Sequence, residues 1–323
     1  MSAYITRRIF TSLVTLFLIL TITFIMFRLL PGDPTIALTS PLLPAKARQD
    51  LQAQFGLDKS VFQQYYLFIF NTLKGNFGHS FFNNVPVFEY IMPRLLNTLF
   101  LSFSAFFISY SVGLIGGLIL IWKYNTWVEK TGIAVVLCLR APPVFWTGML
   151  AMMFFSFQLG WFPYRGIRSI GYTATGLLDK YLSLDFLHHL VLPSLVMSAY
   201  LIGFPMLLFR NSLLRVMKLD YVQTARAKGL SELKVLIKHT ARNGLLPIVT
   251  AAGTYIGLAA GGMAVVEFVF SWPGLGQALI QAIGVRDYPI AQGAFFLIGA
   301  MVIVANFIVD LIYVVLDPRI TYD

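Results

Sequence analysis

Histidine, cysteine and carboxylate side chains do most of the nucleophilic, acid–base and metal-ligand chemistry open to a protein, and this sequence spaces them poorly for any of it. The four histidines are His79, His188, His189 and His239, and Cys138 is the single cysteine, set in an apolar run. No disulfide framework or cysteine metal cluster can form within the chain. No Gly-x-x-x-x-Gly-Lys-Ser/Thr run occurs, so there is no phosphate-cradling loop for ATP. What remains distinctive is a handful of charges beside or within long apolar stretches: Arg140, followed by Pro142 and Pro143, then Glu267 and Asp310. A charge at membrane depth is costly and commonly marks a polar path. Arg140, Phe145, Trp146 and Glu267 are therefore the candidate translocation-path residues. The competing readings are that Arg140 snorkels to an interface with a helix starting at Ala141, and that Glu267 organises a mouth before the Ser271-Trp272-Pro273-Gly274 turn. Asp310 is expected to reach an interface or pair with a base, and His188 and His189 to pack at an outer interface.

Composition explains why these charges stand out. Of 323 residues, 58% are hydrophobic and 12% charged, and mean hydropathy is +0.75. Soluble domains carry about 25% charge, so a cytosolic enzyme, a disordered tail and a disulfide-stapled secreted module are excluded. The net charge of +10 falls between apolar runs and reads as juxtamembrane rather than as a nucleic-acid surface. Six segments reach the roughly 20 apolar residues a span requires: 9–27, 95–122, 131–164, 190–209, 244–266 and 288–309. The first resembles a signal core after Arg7 and Arg8, but it is too long and lacks a small-residue cleavage site. The expected fold is all-α, a polytopic membrane protein with six transmembrane helices.

Lysine and arginine set the orientation. With a cytoplasmic N-terminus, Arg7, Arg8, Lys123, Lys130, Arg210, Arg215, Lys218, Arg226, Lys228, Lys234, Lys238, Arg242 and Arg319 all fall on inner segments. Both termini are then cytoplasmic. Tyr4, Trp122, Trp127, Trp161, Tyr164 and Tyr313 fall near expected interfaces, as aromatic belts do. The chain divides into an N-terminal segment with the first helix (1–30), a large extracytoplasmic loop (31–94) and a transmembrane core (95–323) that includes the cytoplasmic loop 210–243.

Two loops carry structure. In the outer one, Pro31-Gly32-Asp33-Pro34 forces a turn, and 45–55 and 61–73 read as short helices. In the second, Val61, Phe62, Tyr65, Phe68, Ile69 and Thr72 share one face. This loop is a packed external cap or a docking surface for an external partner. In the inner loop, 210–243, Asp220 and Gln223 have capping-box spacing, and a helix should run to Lys228 and stop at Gly229. Ser231 then caps a second helix to about Asn243, with Leu233, Leu236, Ile237 and Thr240 on one face and Lys234, Lys238 and Arg242 on another. Periodicity alone fits both an amphipathic loop on anionic lipid and a protein-docking site. Glycines recur every four residues at Gly253, Gly257 and Gly261, and at Gly113 and Gly117, as close helix approach requires, either inside one subunit or at a seam with a partner.

Asp-Tyr-Val-Gln-Thr-Ala-Arg-Ala-Lys-Gly-Leu-Ser (220–231) followed by Lys-His-Thr-Ala-Arg-Asn-Gly-Leu-Leu-Pro (238–247) resembles the cytoplasmic signature loop of binding-protein-dependent ABC importer permeases, in the form used by the dipeptide, oligopeptide and nickel branch. Leu-Pro-Gly-Asp-Pro (30–34), Phe-Gly-Leu-Asp-Lys (55–59) and Leu-Lys-Gly-Asn-Phe-Gly-His-Ser (73–80) resemble that branch's outer loop. Val-Phe-Ser-Trp-Pro-Gly-Leu-Gly (269–276), Arg-Asp-Tyr-Pro (286–289) and Asp-Pro-Arg-Ile (317–320) resemble its C-terminal third. Two positions depart. Gln223 stands where many importers have an acidic residue, and Asn76 stands where Asp is usual in Gly-Asp-Phe-Gly.

The resemblance implies half of a transmembrane path for peptides, in a bacterial or archaeal cell membrane. It implies as partners a homologous second permease, two cytoplasmic ATPase subunits that bind ATP and Mg, and an extracytoplasmic solute-binding protein. Lipid surrounds the chain, which itself holds no cofactor or metal and binds no nucleic acid. Coupling to the ATPases falls to Gln223, Thr224, Ala225, Arg226, Ala227, Lys228, Gly229 and Leu230. Ala225, Ala227 and Gly229 are small enough for close contact, while Arg226 and Lys228 can anchor to acidic groups or lipid phosphate. Within the branch the cargo ranges over di- and oligopeptides, antimicrobial peptides, glutathione, opines and nickel complexes. The rivals are a secondary transporter, which calls for paired interrupted helices in two related halves that this sequence lacks, and a membrane scaffold without transport.

Overall fold

The computed structural model describes residues 2–29 and 59–316. The expected helix at 45–55, the Pro31 turn and the motif at 317–320 lie outside them. Among the described residues the chain is helical, with a single isolated bridge between His79 and Pro86 in place of any strand. Four helices are long and apolar enough to span a membrane: Ile5–Phe27, Val87–Trp122, Leu184–Leu201 and Tyr288–Ile312. Two bent pairs bring the total to six when each counts as one span.

The bent pairs amend the six-segment reading. The stretch 131–164 is not one helix. Trp127–Arg140 and Val144–Gln158 meet at 94°, because neither Pro142 nor Pro143 can donate to the carbonyl a turn behind it. The second limb restarts on the Pro143 carbonyl, which accepts from the Trp146 and Thr147 amides at 3.0 and 3.2 Å. The second pair, Glu232–Gly253 and Tyr255–Val269, bends by 42°. The segment expected at 190–209 is also divided: one helix ends at Leu201 and the next is Gly203–Val216. Pro205 cannot bond the Leu201 carbonyl, and the Tyr255 hydroxyl donates to that oxygen instead, at 3.3 Å.

The chain forms two compact units. The first joins Met1–Leu99 to Ser271–Val304. Its core is Val87, Ile91, Leu275, Ala278, Ala282, Ile290, Ala291 and Ala294, all buried. Motifs distant in sequence meet here. The Trp272 indole donates to the Asn97 carbonyl at 3.0 Å, Asn97 Nδ2 donates to the Pro273 carbonyl at 2.7 Å, and the Leu275 amide donates to Thr98 Oγ1 at 2.8 Å. Buried Asp287 accepts from the Ser80 hydroxyl and, at 3.2 Å, from the Phe81 amide. Asn76, the departure from Asp, still closes its turn, since its Oδ1 accepts from the Gly78 amide at 3.0 Å.

The second unit joins Phe100–Phe270 to Ala305–Asp323. Gly113 and Gly117 pack on the Gly203–Val216 helix: a Cβ on Gly113 would lie 2.9 Å from Pro205 Cγ. A Cβ on Gly253 would lie 3.0 Å from Asn306 Oδ1, whereas Gly261 faces open space. The glycine rows at 113, 117 and 253 thus serve packing inside this chain.

Candidate functional site

The 210–243 segment is built much as expected, with instructive departures. Asp220–Ala227 is helical, Lys228 caps it, and Gly229 takes φ +78°. That left-handed conformation suits glycine and penalises residues with a Cβ. The N-cap is Leu219 rather than Asp220. Asp220 therefore sits in the first turn, where its charge meets the helix dipole. Gln223 does not close a capping box, because its amide donates to the Met217 carbonyl at 2.9 Å.

The second limb is not a plain α-helix. Glu232–Lys234 leads into a π-helical turn, Val235–Thr240, and then Ala241–Gly244. A π turn holds more residues than an α turn, so it rotates the side chains out of α register. The face expected from Leu233, Leu236, Ile237 and Thr240 is split accordingly. Leu236 and Thr240 are buried, while Leu233 and Ile237 are 46% and 56% exposed. Val235 replaces them, packing with Val216, Val222 and Ala225. Leu236 joins Phe209, Leu213, Ile248 and Ile121. The loop is thus anchored to the core of its own unit, where rigid contacts can carry a displacement.

The two limbs are also tied to each other. Tyr221 donates through its hydroxyl to the His239 carbonyl at 3.1 Å and accepts from Asn243 Nδ2 at 2.7 Å. Arg226 spans the elbow to Glu232 in a bidentate pair, at 3.0 and 3.1 Å. An exposed pair of this kind is worth under about 1 kcal/mol, so its effect is to fix an angle. Left exposed on the two limbs are Leu219, Tyr221, Leu233 and Ile237, with Lys218, Lys228, Lys234 and Lys238 in the same segment. Of the eight coupling residues, Gln223, Thr224, Ala227, Lys228 and Gly229 are exposed, Arg226 and Leu230 partly so, and Ala225 is buried. Ala225 packs inside the loop against Val216, Val222 and Val235. Tyr221 and Glu232 were not singled out by sequence, although Tyr221 stands inside the motif.

The path candidates lie on three helices, Trp127–Arg140, Val144–Ala151 and Leu246–Val269. Arg140 closes the Trp127–Arg140 helix, where its charge complements the C-terminal dipole. It is exposed, as are Phe145 and Trp146 just past the bend. The bend, not an interior helix position, accommodates the charge. Glu267 is fully buried near the end of Leu246–Val269.

Sequence reasoning also missed Glu129. Its buried carboxylate takes Arg210 Nε at 2.8 Å and the Asn125 amide at 2.6 Å. This joins the two segments expected to be cytoplasmic, 123–130 and 210–243. On the loop expected outside, the Tyr172 hydroxyl and the Thr175 amide (2.9 Å) donate to Asp179. The Tyr172 bond first, and then the Thr175 amide, hold this exposed carboxyl below its ordinary range. His188 and His189 each bond a backbone carbonyl at 2.8 Å, of Trp161 and Asp185. Among the described residues no three of His, Cys, Asp and Glu gather as a metal site.

The comparisons with known proteins agree with this architecture. Residues 109–322 match the model described as "Binding-protein-dependent transport system inner membrane component". Residues 1–102 match "Binding-prot-dependent transport system membrane comp, N-term". The chain belongs to this family of ABC importer permease subunits, multi-pass proteins of the bacterial inner membrane. It is 35% identical to the di/tripeptide transport system permease protein DppB of Pseudomonas aeruginosa (strain UCBPP-PA14), over 100% of this chain and 99% of that one. It is 33% identical to the glutathione transport system permease protein GsiC of Escherichia coli O1:K1 / APEC, over 99% of each.

Proposed function

We propose that this chain forms half of the path of a peptide importer and couples it to separate ATPases through the 220–243 loop. The observation that carries the coupling is the pair of short limbs that turn at Gly229 and are held together by the Tyr221 bonds and the Val216, Val222, Ala225 and Val235 cluster, with Leu219, Tyr221, Leu233 and Ile237 left exposed. Apolar side chains left exposed in this way fit a docking site. Two ATPase subunits bind ATP and Mg, close on each other and push the loop as a unit. Its buried Val235 and Leu236 pass the push to the helices behind. A second permease completes the path, and an extracytoplasmic binding protein delivers the cargo.

Six spans, counting each bent pair as one, leave both termini cytoplasmic. The Glu129–Arg210 pair supports this, because it requires the 123–130 and 210–243 segments to share a side. The permease relatives named for di/tripeptides and for glutathione, itself a tripeptide, support a peptide cargo. Arg140, Phe145 and Trp146 flank the path at the bend.

The test is to replace Leu233 and Ile237 with aspartate and purify the assembly by a tag on this chain. The variant should keep its thermal unfolding profile, lose the ATPase subunits and lose ATP hydrolysis stimulated by peptide-loaded binding protein. Unchanged co-purification and unchanged stimulation would overturn the coupling assignment.

A further inference from the structure

The helix Val61–Leu73 has a depth that its neighbours set. Its Tyr65 hydroxyl lies 2.7 Å from Thr21 Oγ1. Tyr65 and Phe68 also contact Phe24, with ring centroids 5.3 and 5.6 Å apart. Thr21 and Phe24 belong to the first span, whose apolar stretch ends at Phe27. At about 1.5 Å per residue, Thr21 lies roughly 9 Å inside that end and Phe24 roughly 4–5 Å. A helix touching both sits at the level of the outer acyl chains and headgroups, not in open water. Its 13 residues extend about 20 Å, too short to cross a hydrocarbon core of about 30 Å.

The opposite face fits that depth. Phe62, Tyr66, Phe70 and Leu73 form a row at helical spacing, with Phe62 87% exposed and Leu73 71%. The periodicity puts Val61 and Phe62 on one face with Tyr65, Phe68, Ile69 and Thr72, yet Val61 and Phe62 are exposed while Thr72 is buried, together with Gln64. The Tyr66 and Phe70 rings stack, and the Lys74 ammonium lies 4.0 Å from the Phe70 ring. The helix carries no charge of its own, and Lys59 and Lys74 bracket its ends. Lysine stems lie along apolar surface while their heads reach phosphate. Ile22, Ile25 and Met26, in the same two turns of the first span as Thr21 and Phe24, are about half exposed, as lipid-facing residues of a span are.

We propose that Val61–Leu73 is an interfacial helix: it lies on the membrane beside the Phe27 end of the first span, inserts Phe62, Tyr66, Phe70 and Leu73 among the lipids, and offers Lys59 and Lys74 to their phosphates. The external segment after the first helix then has a lipid-resting element as its base, one that fixes the height of whatever it presents.

The test uses the full chain with its partner subunits in vesicles of phosphatidylethanolamine and phosphatidylglycerol. In a Cys138→Ser background, cysteine is placed singly at Phe62, Tyr66 and Phe70, and at Gln63 on the flank, and is labelled with a nitroxide. Labels at the three row positions should collide with oxygen more than with a water-soluble nickel chelate, and the preference should fall at Gln63. A fluorophore at the row positions should be quenched severalfold more by lipid-borne than by aqueous quenchers. Preference for the nickel chelate at the row positions overturns the proposal, since the face is then in water. Shielding from oxygen, chelate and lipid quencher alike also overturns it, since a protein then covers the row. The row positions are exposed, so their substitution leaves the packed face intact, and unchanged ATPase stimulation verifies the assembly.

Discussion

The Arg210 guanidinium grips the Glu129 carboxylate across 81 residues of sequence, its Nε 2.8 Å from Oε1. Glu129 is 4% exposed, and its second oxygen is held by the Asn125 amide. Removing one partner of such a pair leaves a buried charge uncompensated, which costs far more than replacing both. Arg210→Met should destabilise the chain by about 3 kcal/mol, read as lower thermal or denaturant resistance in detergent. The double variant Glu129→Leu with Arg210→Met should recover much of the loss. Additive losses in that cycle would mean the two side chains do not act together.

The elbow residue gives a second prediction. A Cβ at Gly229 meets nothing within 4 Å, yet φ is +78°. Gly229→Val should therefore cost about 1–2 kcal/mol through backbone conformation alone, and it should reorient the limbs. Transport and stimulated hydrolysis should fall while expression is maintained. By contrast, Ala225→Leu overfills the cluster of Val216, Val222 and Val235, at about 1–3 kcal/mol, and should reduce stability first. Equal stability losses with no transport defect at Gly229 would count against the lever.

Asp287 gives the third. Its carboxylate collects the Ser80 hydroxyl and the Phe81 amide while 2% exposed. Asp287→Ala strands those donors, which costs about 1–3 kcal/mol. Amide exchange across 80–83 should accelerate, while exchange in the 220–243 loop stays the same.

Asp179 gives a dependence on pH. Its folded pKa is lowered, first by the Tyr172 hydroxyl and then by the Thr175 amide. The stabilisation it gives is fully present above the ordinary carboxylate pKa and is lost as pH falls through the lowered folded value. Exchange protection of the Thr175 amide should therefore persist at mildly acidic pH and vanish below it. Tyr172→Phe should move that loss to higher pH. A Thr175 amide indifferent to pH in both proteins would remove Asp179 as its partner.

The helical class and the membrane character were legible from apolar run lengths, and the end of Asp220–Ala227 from the glycine at 229, although the capping box expected at its start does not form. Run length did not show the breaks. Arg140-Ala141-Pro142-Pro143 was read as a disturbance within one span, whereas two successive missing donors end the first limb outright. Pro205 leaves the Leu201 carbonyl without its helical donor, and the Tyr255 hydroxyl that takes it up comes from 54 residues away, beyond the reach of any local pattern. The Leu233 and Ile237 exposure was hidden because periodicity presumes 3.6 residues per turn, and a π turn breaks that premise. Tyr221, Glu129 and Asp287 act through long-range partners that no local spacing reveals. Ala225 was chosen for its size, which fits packing inside the loop as well as contact outside it.

Ser80 and Asp287 are 207 residues apart, and the first unit draws its two parts from opposite ends of the chain. Ribosomes add roughly 5–20 residues per second, so Ser80 waits on the order of 10–40 s for its acceptor to be made. The long stretch Phe100–Phe270 of the second unit is synthesised before the N-terminal region can close around Trp272 and Asp287. Truncated chains ending before 271 should thus leave the ribosome with both units short of their C-terminal pieces, 271–304 in the first and 305–323 in the second, a state that membrane quality-control proteases are suited to detect.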